Sequence, residues 1–367
     1  MELLGILLLW ALTGLLIGVT ILPISKVPLG AIRGLDFPRQ QYFLLALVMA
    51  VCIFVLVPGW LGGLGGPLVV ALALVHLFYI AKFTPIWPVQ SVSASPQSGL
   101  TDPGRISLIA ANVKLSNRDY DRLIDLCLAR QPDILLAIEV DDKWIAALRA
   151  ALDDDYPHRV EVPQDNGYGM AVFSRLPLSD TSVRELITKK VPSVRTTVTL
   201  RNRDRFRLYV VHPEPPVIDH DTMGRDSEIA MVGLEAAKDE LPAMVAGDLN
   251  DVAWSTTTRR FQRLSRLMDP RVGRGFFNTF SATMPWMRWP LDHLFHDPRF
   301  RLVEMARLPK IGSDHFPMWF ALILADEAAQ VSDPGEADSE EAFRAKRMIV
   351  KERNRDRTPI GEDWEAE

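Results

Sequence analysis

A carboxylate and a carboxamide stand two residues apart in Val245-Ala246-Gly247-Asp248-Leu249-Asn250-Asp251, directly after an apolar run. Side chains two apart in extended backbone share a face, so Asp248 and Asn250 are expected to project together from a sheet rim. The pair suits a phosphate ester. The carboxylate orients a nucleophile or sits near a metal, and the amide donates to a phosphoryl oxygen. Gly-Asp and Asn-Asp pairs are also ordinary turn chemistry, so the motif alone reads equally as a turn.

Four more polar islands follow or end apolar runs: Asn112, Glu139, the Asp292-His293 pair and Ser313-Asp314-His315. Each has a plain alternative. Glu139 is either a rim carboxylate that wants a partner charge or metal, or an acid at the start of the next helix. Asn112 reads also as a turn residue. His212, in Val210-Val211-His212-Pro213-Glu214-Pro215, reads also as a surface histidine. Asp292 is costly to bury without a partner, and a histidine partner would gain both a fixed tautomer and a more basic ring. Five such islands at strand ends are hard to explain as packing.

The elements that must position them alternate. Apolar runs at 106–113 and 133–140 are short enough for buried strands, and 119–130 and 141–152 have helical spacing. Short β-branched and aromatic runs follow at 158–162, 168–173, 183–188, 194–200 and 206–211. A helix over 219–240 leads to the Asp248 strand, a second over 256–268 follows it, and strands at 291–295, 301–308 and 318–324 close the pattern. Mixed strands with helices between them suggest two stacked sheets with helices outside.

Before this region lie uncharged apolar runs, Leu3 to Leu22 and Gln40 to Ala81, the second turning at Pro58-Gly59-Trp60. A bilayer core needs roughly 20 apolar residues per helix, so these make three transmembrane helices. Met1-Glu2 offers no basic n-region of a signal peptide. Lys26, Arg33 and Arg39 against Asp36 place the first loop, and everything after the third span, in the cytoplasm. The expected organisation is a membrane anchor over 1–82, a linker over 83–104 that lifts the following domain off the membrane, a catalytic domain over 105–325, and a charged tail over 326–367, disordered or holding one solvated helix. Cys52 and Cys127 are too remote in context to form a bridge or metal site. The net charge of −5 is mild, and residues 101–325 carry thirty basic against thirty-one acidic side chains, so charge does not choose the substrate.

Ala111-Asn112-Val113, Pro132 to Glu139, Gly167 to Arg175, His212-Pro213, Gly247-Asp248-Leu249-Asn250, Leu291 to Phe295 and Ser313-Asp314-His315 stand in the motif order of the endonuclease/exonuclease/phosphatase family, which the chain resembles over about Arg105 to Leu324. The resemblance implies a DNase I-like four-layer α/β/β/α sandwich, and the amino-terminal part resembles a membrane-anchored, bacterial inner-membrane subgroup. It implies Glu139 as the main Mg²⁺ ligand (Mn²⁺ as substitute), with Asn112 beside it and Asp314 completing the shell. It implies Asp248 and Asn250 for the attacking water and phosphoryl oxygens, His315 oriented by Asp292 as base or electrostatic stabiliser, and His212 for leaving-group protonation. Lys114 departs from members that carry a second acidic ligand after Asn-Val, which favours one metal. The implied activity is hydrolysis of a phosphodiester or phosphomonoester in nucleic acid or lipid; the alternative is a catalytically weak pseudoenzyme acting as a membrane-tethered binding module. Trp286, Met287 and Trp289 crowd the approach to Asp292. They either touch the headgroup region, where tryptophan is favoured, or cover the sheet edge.

Overall fold

The computed structural model describes residues 2–25, 27–95 and 102–361. Three amino-terminal helices, α1 (Glu2–Ile21), α3 (Arg39–Leu56) and α4 (Gly59–Ile80), belong to segments long and apolar enough to cross a bilayer, with mean hydropathies of 2.4, 1.8 and 2.1. The short α2 (Gly30–Arg33) lies in the loop between the first two.

Eleven strands follow among the described residues, in two sheets. Strands β1 (Arg105–Asn112), β2 (Ile134–Ile138), β3 (His158–Val162), β4 (Met170–Ser174), β10 (Phe300–Arg307) and β11 (Met318–Leu324) form one, in the order β10-β11-β1-β2-β4-β3. Strands β5 (Leu178–Glu185), β6 (Pro192–Thr199), β7 (Arg205–Val211), β8 (Ala243–Asp248) and β9 (Asp292–His296) form the other, in sequence order. The apolar run of β1 is continuous because both its faces are covered. Ile106, Leu108 and Ala110 face the second sheet, packing with Val194, Phe206 and Leu208. Ile109 and Ala111 face α5 (Tyr120–Arg130) and α6 (Asp142–Leu152), with Leu123 and Trp144. On the far side, Tyr209, Val245 and Phe295 pack under α7 (Met223–Ala236) and α8 (Thr256–Ser265) through Ile229, Val232 and Phe261. Helix, sheet, sheet, helix is the four-layer order.

Two segments differ from expectation. The 83–104 stretch does not lift the domain away: Phe83 packs with Trp254 and Val272, and buried Ser91 reaches His296 Nε2 at 2.8 Å. Its positions 96–101 lie outside the described residues. The tail is neither disordered nor solvated up to residue 361. Helix α9 (Ser339–Arg353) buries Ala345 and Ile349 against Ala230 and Leu264, and Arg263 grips Glu341 with two nitrogens at 2.7 and 2.6 Å. An i, i+4 apolar pair is enough to seat one face of an otherwise charged helix.

The loop between α1 and α3 packs on the same domain. Gly30 N donates to the His220 carbonyl at 2.8 Å, and the buried Trp254 indole donates to the Asp36 carbonyl at 2.7 Å. A Cβ on Gly30 would fall 1.8 Å from the Val217 oxygen, so this approach requires glycine. Of the basic residues that set the expected topology, Lys26 lies outside the described residues, and buried Arg39 is tied to Asp36 by two hydrogen bonds at 2.8 and 2.5 Å.

Glu228 on α7 is buried beside Glu214, with one carboxylate oxygen lacking a partner. Burial, then the Glu214 charge, pushes its pKa up to about 8. The folded protein therefore holds this proton from the ordinary carboxylate range up to about pH 8 while the unfolded chain does not, and stability falls as pH rises across that window. Glu228→Gln is expected to raise Tm by at least ~3 °C at pH 8 and to leave it unchanged near pH 4, as thermal denaturation at the two pH values would show.

Candidate active site

The polar islands converge where the ends of β1, β2, β7, β8 and β9 meet. Asn112 closes β1 and Glu139 directly follows β2. From the other sheet, Asp248 ends β8, Asp292 begins β9 and His212 follows β7. A Cβ on Gly247 would lie 2.0 Å from the Val211 oxygen, so glycine serves the close pairing of β7 and β8 rather than a turn. Alternation is not what aims Asp248 and Asn250. Asn250 is left-handed (φ 51°), its N–H bonds Asp248 Oδ1 at 2.9 Å, and its side-chain amide donates to the Pro213 carbonyl at 3.0 Å. Buried Arg225 holds the back of this turn, donating to the Asn250 carbonyl at 2.9 Å and lying 3.6 Å from Asp251.

The Asn112 amide nitrogen bridges the sheets, 2.6 Å from Glu139 Oε1 and 3.0 Å from Asp248 Oδ2. Asp292 Oδ2 lies 2.7 Å from His315 Nδ1, and His315 Nε2 lies 3.6 Å from Asp248 Oδ2. His212 Nε2 is 3.8 Å from Glu139 Oε1 and 4.0 Å from Asp248 Oδ2, and its Nδ1 is buried without a partner. Asp314 lines the same cavity of about 410 Å³, but its carboxylate meets Lys114 Nζ at 3.1 Å instead of joining the other carboxylates. His293, next in sequence to Asp292, points the other way, to Arg271 at 2.6 Å and the Asp251 carbonyl at 2.8 Å; its role is structural.

Burial dominates the electrostatics. It pushes Glu139 up to about 7, with Asp248 adding to the rise and Asn112 and His315 opposing it. It pushes Asp248 up to about 6 against the pull of His315. His212 is driven down to about 3 by burial and then by the His315 charge, and so is neutral. Burial would also lower His315, but the Asp292 and Asp248 carboxylates outweigh it and hold it up at about 10, an imidazolium at neutral pH.

Glu139, His212 and Asp248 offer ligand atoms within 4.8 Å of one another, as do Asp248, Asp292 and His315. Three carboxylates face one imidazolium, and oxygen donors predominate. That set fits a hard divalent cation, with Glu139 and Asp248 as the carboxylates nearest to hand.

Several lining residues carried no sequence signal for this role. The Tyr168 ring lies tilted to His212 at 5.5 Å, and the Phe280 ring tilted to His315 at 5.0 Å. Phe37, from the loop between the first two spans, and Ile360, from the tail, complete the wall. They are brought in only by tertiary packing. Glu214, two residues past His212, could have been suspected: it anchors the tail through the Ile360 N–H at 3.1 Å.

The model of the endonuclease/exonuclease/phosphatase family matches residues 109–315, and the chain belongs to that family. Its solved structural neighbours include an endonuclease/exonuclease/phosphatase from Beutenbergia cavernae (19% identity over 60% of this chain and 72% of that one, TM-score 0.49). They also include the human Nocturnin catalytic domain with bound sulfate (16%, 60% and 95%, 0.49) and a mannosyl-6-phosphatase from Bacteroides thetaiotaomicron (16%, 60% and 100%, 0.47). No curated protein matches the chain.

A cation bound by the folded state alone stabilises it by mass action. Millimolar Mg²⁺ or Mn²⁺ is expected to raise Tm of the wild type. Glu139→Gln, which removes one of the buried like charges, should match or exceed the wild-type Tm without metal and lose most of the metal-induced rise. Differential scanning calorimetry of both proteins with and without the ions checks this.

Proposed function

We propose that the chain is a membrane-anchored, Mg²⁺-dependent hydrolase of phosphoric esters. The observation that carries this reading is the bridged pair Glu139–Asn112–Asp248 beside the Asp292–His315 couple, with Glu139, Asp248 and His315 lining one cavity and Asn112 and Asp292 holding them from behind. Glu139, with Asn112 beside it, would hold the cation, which when bound neutralises phosphate charge and acts as a Lewis acid. Asp248 orients the attacking water and takes its proton. Asn250 has one amide N–H committed to Pro213 and a second for a phosphoryl oxygen. His315, kept charged and oriented by Asp292, donates from Nε2 to the phosphoryl group as negative charge builds. His212, neutral, meets the departing oxygen as a hydrogen-bond donor rather than as a stored acid. Lys114 and its Asp314 partner stand at the rim, where the ammonium favours an anionic substrate. The completeness of the acid, amide and histidine set favours an enzyme over a binding module.

Full-length protein in detergent, given Mg²⁺ and a panel of phosphomonoesters and phosphodiesters, is expected to hydrolyse at least one class, and Asp248→Asn or His315→Ala to lose at least ~10²-fold. Folded variants that retain wild-type turnover would refute the assignment.

The basic loop supports a cytoplasmic catalytic domain in a bacterial inner membrane. Because that loop and the domain pack together, one reporter fixes the side of both. A fusion at the carboxyl terminus should behave as cytoplasmic, and protease added to intact cells should spare the domain; cleavage from outside reverses the orientation.

A further inference from the structure

Phe37 stands two residues before Arg39, where the second span begins, yet it lines the same cavity as Glu139, Asp248 and His315. A ladder of rings joins the two places. Phe37 meets Trp289 edge-on at 5.6 Å, Trp289 stacks on Phe280 at 6.0 Å, and Phe280 lies 5.0 Å from His315. Gln41, on the second span, donates to the Trp286 carbonyl at 2.9 Å, and Gln40 Oε1 accepts from Asn278 at 2.9 Å. The chain next to the apolar helices therefore does more than tether the domain: the residues that lead into one of them form a wall of its cavity.

The domain and the segments beside the apolar helices also expose large apolar side chains. Trp286 is 70% exposed, Ile218 73% and Ile86 87%, while Trp289 is buried. The aromatic loop thus does both things its sequence allowed: Trp289 covers the sheet edge and Trp286 projects outward. At a membrane interface tryptophan and apolar side chains such as these are favoured.

We infer that the substrate is a lipid phosphoester taken from the bilayer, its phosphate reaching His315 and Asp248 while its apolar part stays beside Phe37 and the Trp286 loop. This rests on the phosphoesterase reading above. A phosphate with acyl chains meets a continuous apolar path from the spans to the catalytic histidine. A nucleic acid would have to approach a mouth bounded on one side by lipid and by uncharged rings.

The test uses the full-length protein in phospholipid nanodiscs with Mg²⁺. Matched pairs share one scissile phosphate: phosphatidate with glycerol phosphate, and phosphatidylglycerol with glycerophosphoglycerol. Single-stranded and duplex DNA and bis(p-nitrophenyl) phosphate complete the set. The expected result is that the lipid of at least one pair is hydrolysed at least about tenfold faster than its deacylated partner, since each acyl methylene kept from water favours the bound state. Phe37→Asp should lower the ratio of lipid to generic-ester turnover by about tenfold or more, because a charge in that apolar wall is costly. Trp286→Ser, at an exposed position, should lower the same ratio without endangering the fold. Deacylated esters or DNA cleaved as fast as the lipids would overturn the inference and leave the phosphoesterase reading standing. No hydrolysis of any ester by folded protein would overturn both.

Discussion

One amide nitrogen ties the two sheets together at the point where chemistry is expected. Asn112 comes from the first sheet and reaches Glu139 beside it and Asp248 across the inter-sheet gap. Two buried carboxylates brought this close repel, and burial raises the cost of charging either. A single donor shared between them, with the His315 imidazolium on the other side of Asp248, offsets part of that cost and leaves an electron-rich cleft. The cleft fits a cation for the same reason that it strains without one. Much of the surrounding fold keeps this arrangement in register: the glycine that lets β8 approach Val211, the Arg225 brace behind the Asn250 turn, and the Asp292 grip on His315.

The cavity walls come from parts of the chain that a domain diagram would set apart. Phe37 arrives from between two helices long and apolar enough to cross a membrane, and Ile360 from beyond the last strand. Each is fixed by specific polar contacts: the Trp254 indole on the Asp36 carbonyl, and Glu214 on the Ile360 N–H. The amino-terminal helices, the sandwich and the tail therefore all contribute walls or supports to the site. Truncating either end would remove part of the cavity as well as an appendage.

Most of the sandwich was legible in the sequence because its strands are short apolar runs bounded by turns, and each functional residue sits where such a run ends. The acidic, amide and histidine residues that line the cleft could be singled out for that reason, and because seven motifs stand in the order of the family. What periodicity does not encode is which remote segments close the cavity. Phe37 reads as an aromatic before a span, and Ile360 as an isolated apolar residue in a charged tail. The α9 pattern was visible as a helix, but its docking face centres on two buried apolar side chains, Ala345 and Ile349, with Ala342 and Met348 partly buried beside them, too small a signal to distinguish from a solvated one. Segment 83–104 looked like a linker by composition, although Phe83 and Ser91 are buried. Asp314 stands beside His315 as its place in the chain implied, and its contact with Lys114 depends on two loops meeting in space.

The most direct test of the account is the position of a bound ion. Crystals of the full-length protein soaked in Mn²⁺ should show an anomalous peak against the Glu139 carboxylate, within reach of Asn112 and Asp248, with His315 still held by Asp292. A cleft that stays empty at millimolar Mn²⁺ in well-ordered crystals, or an ion bound only elsewhere, would contradict it.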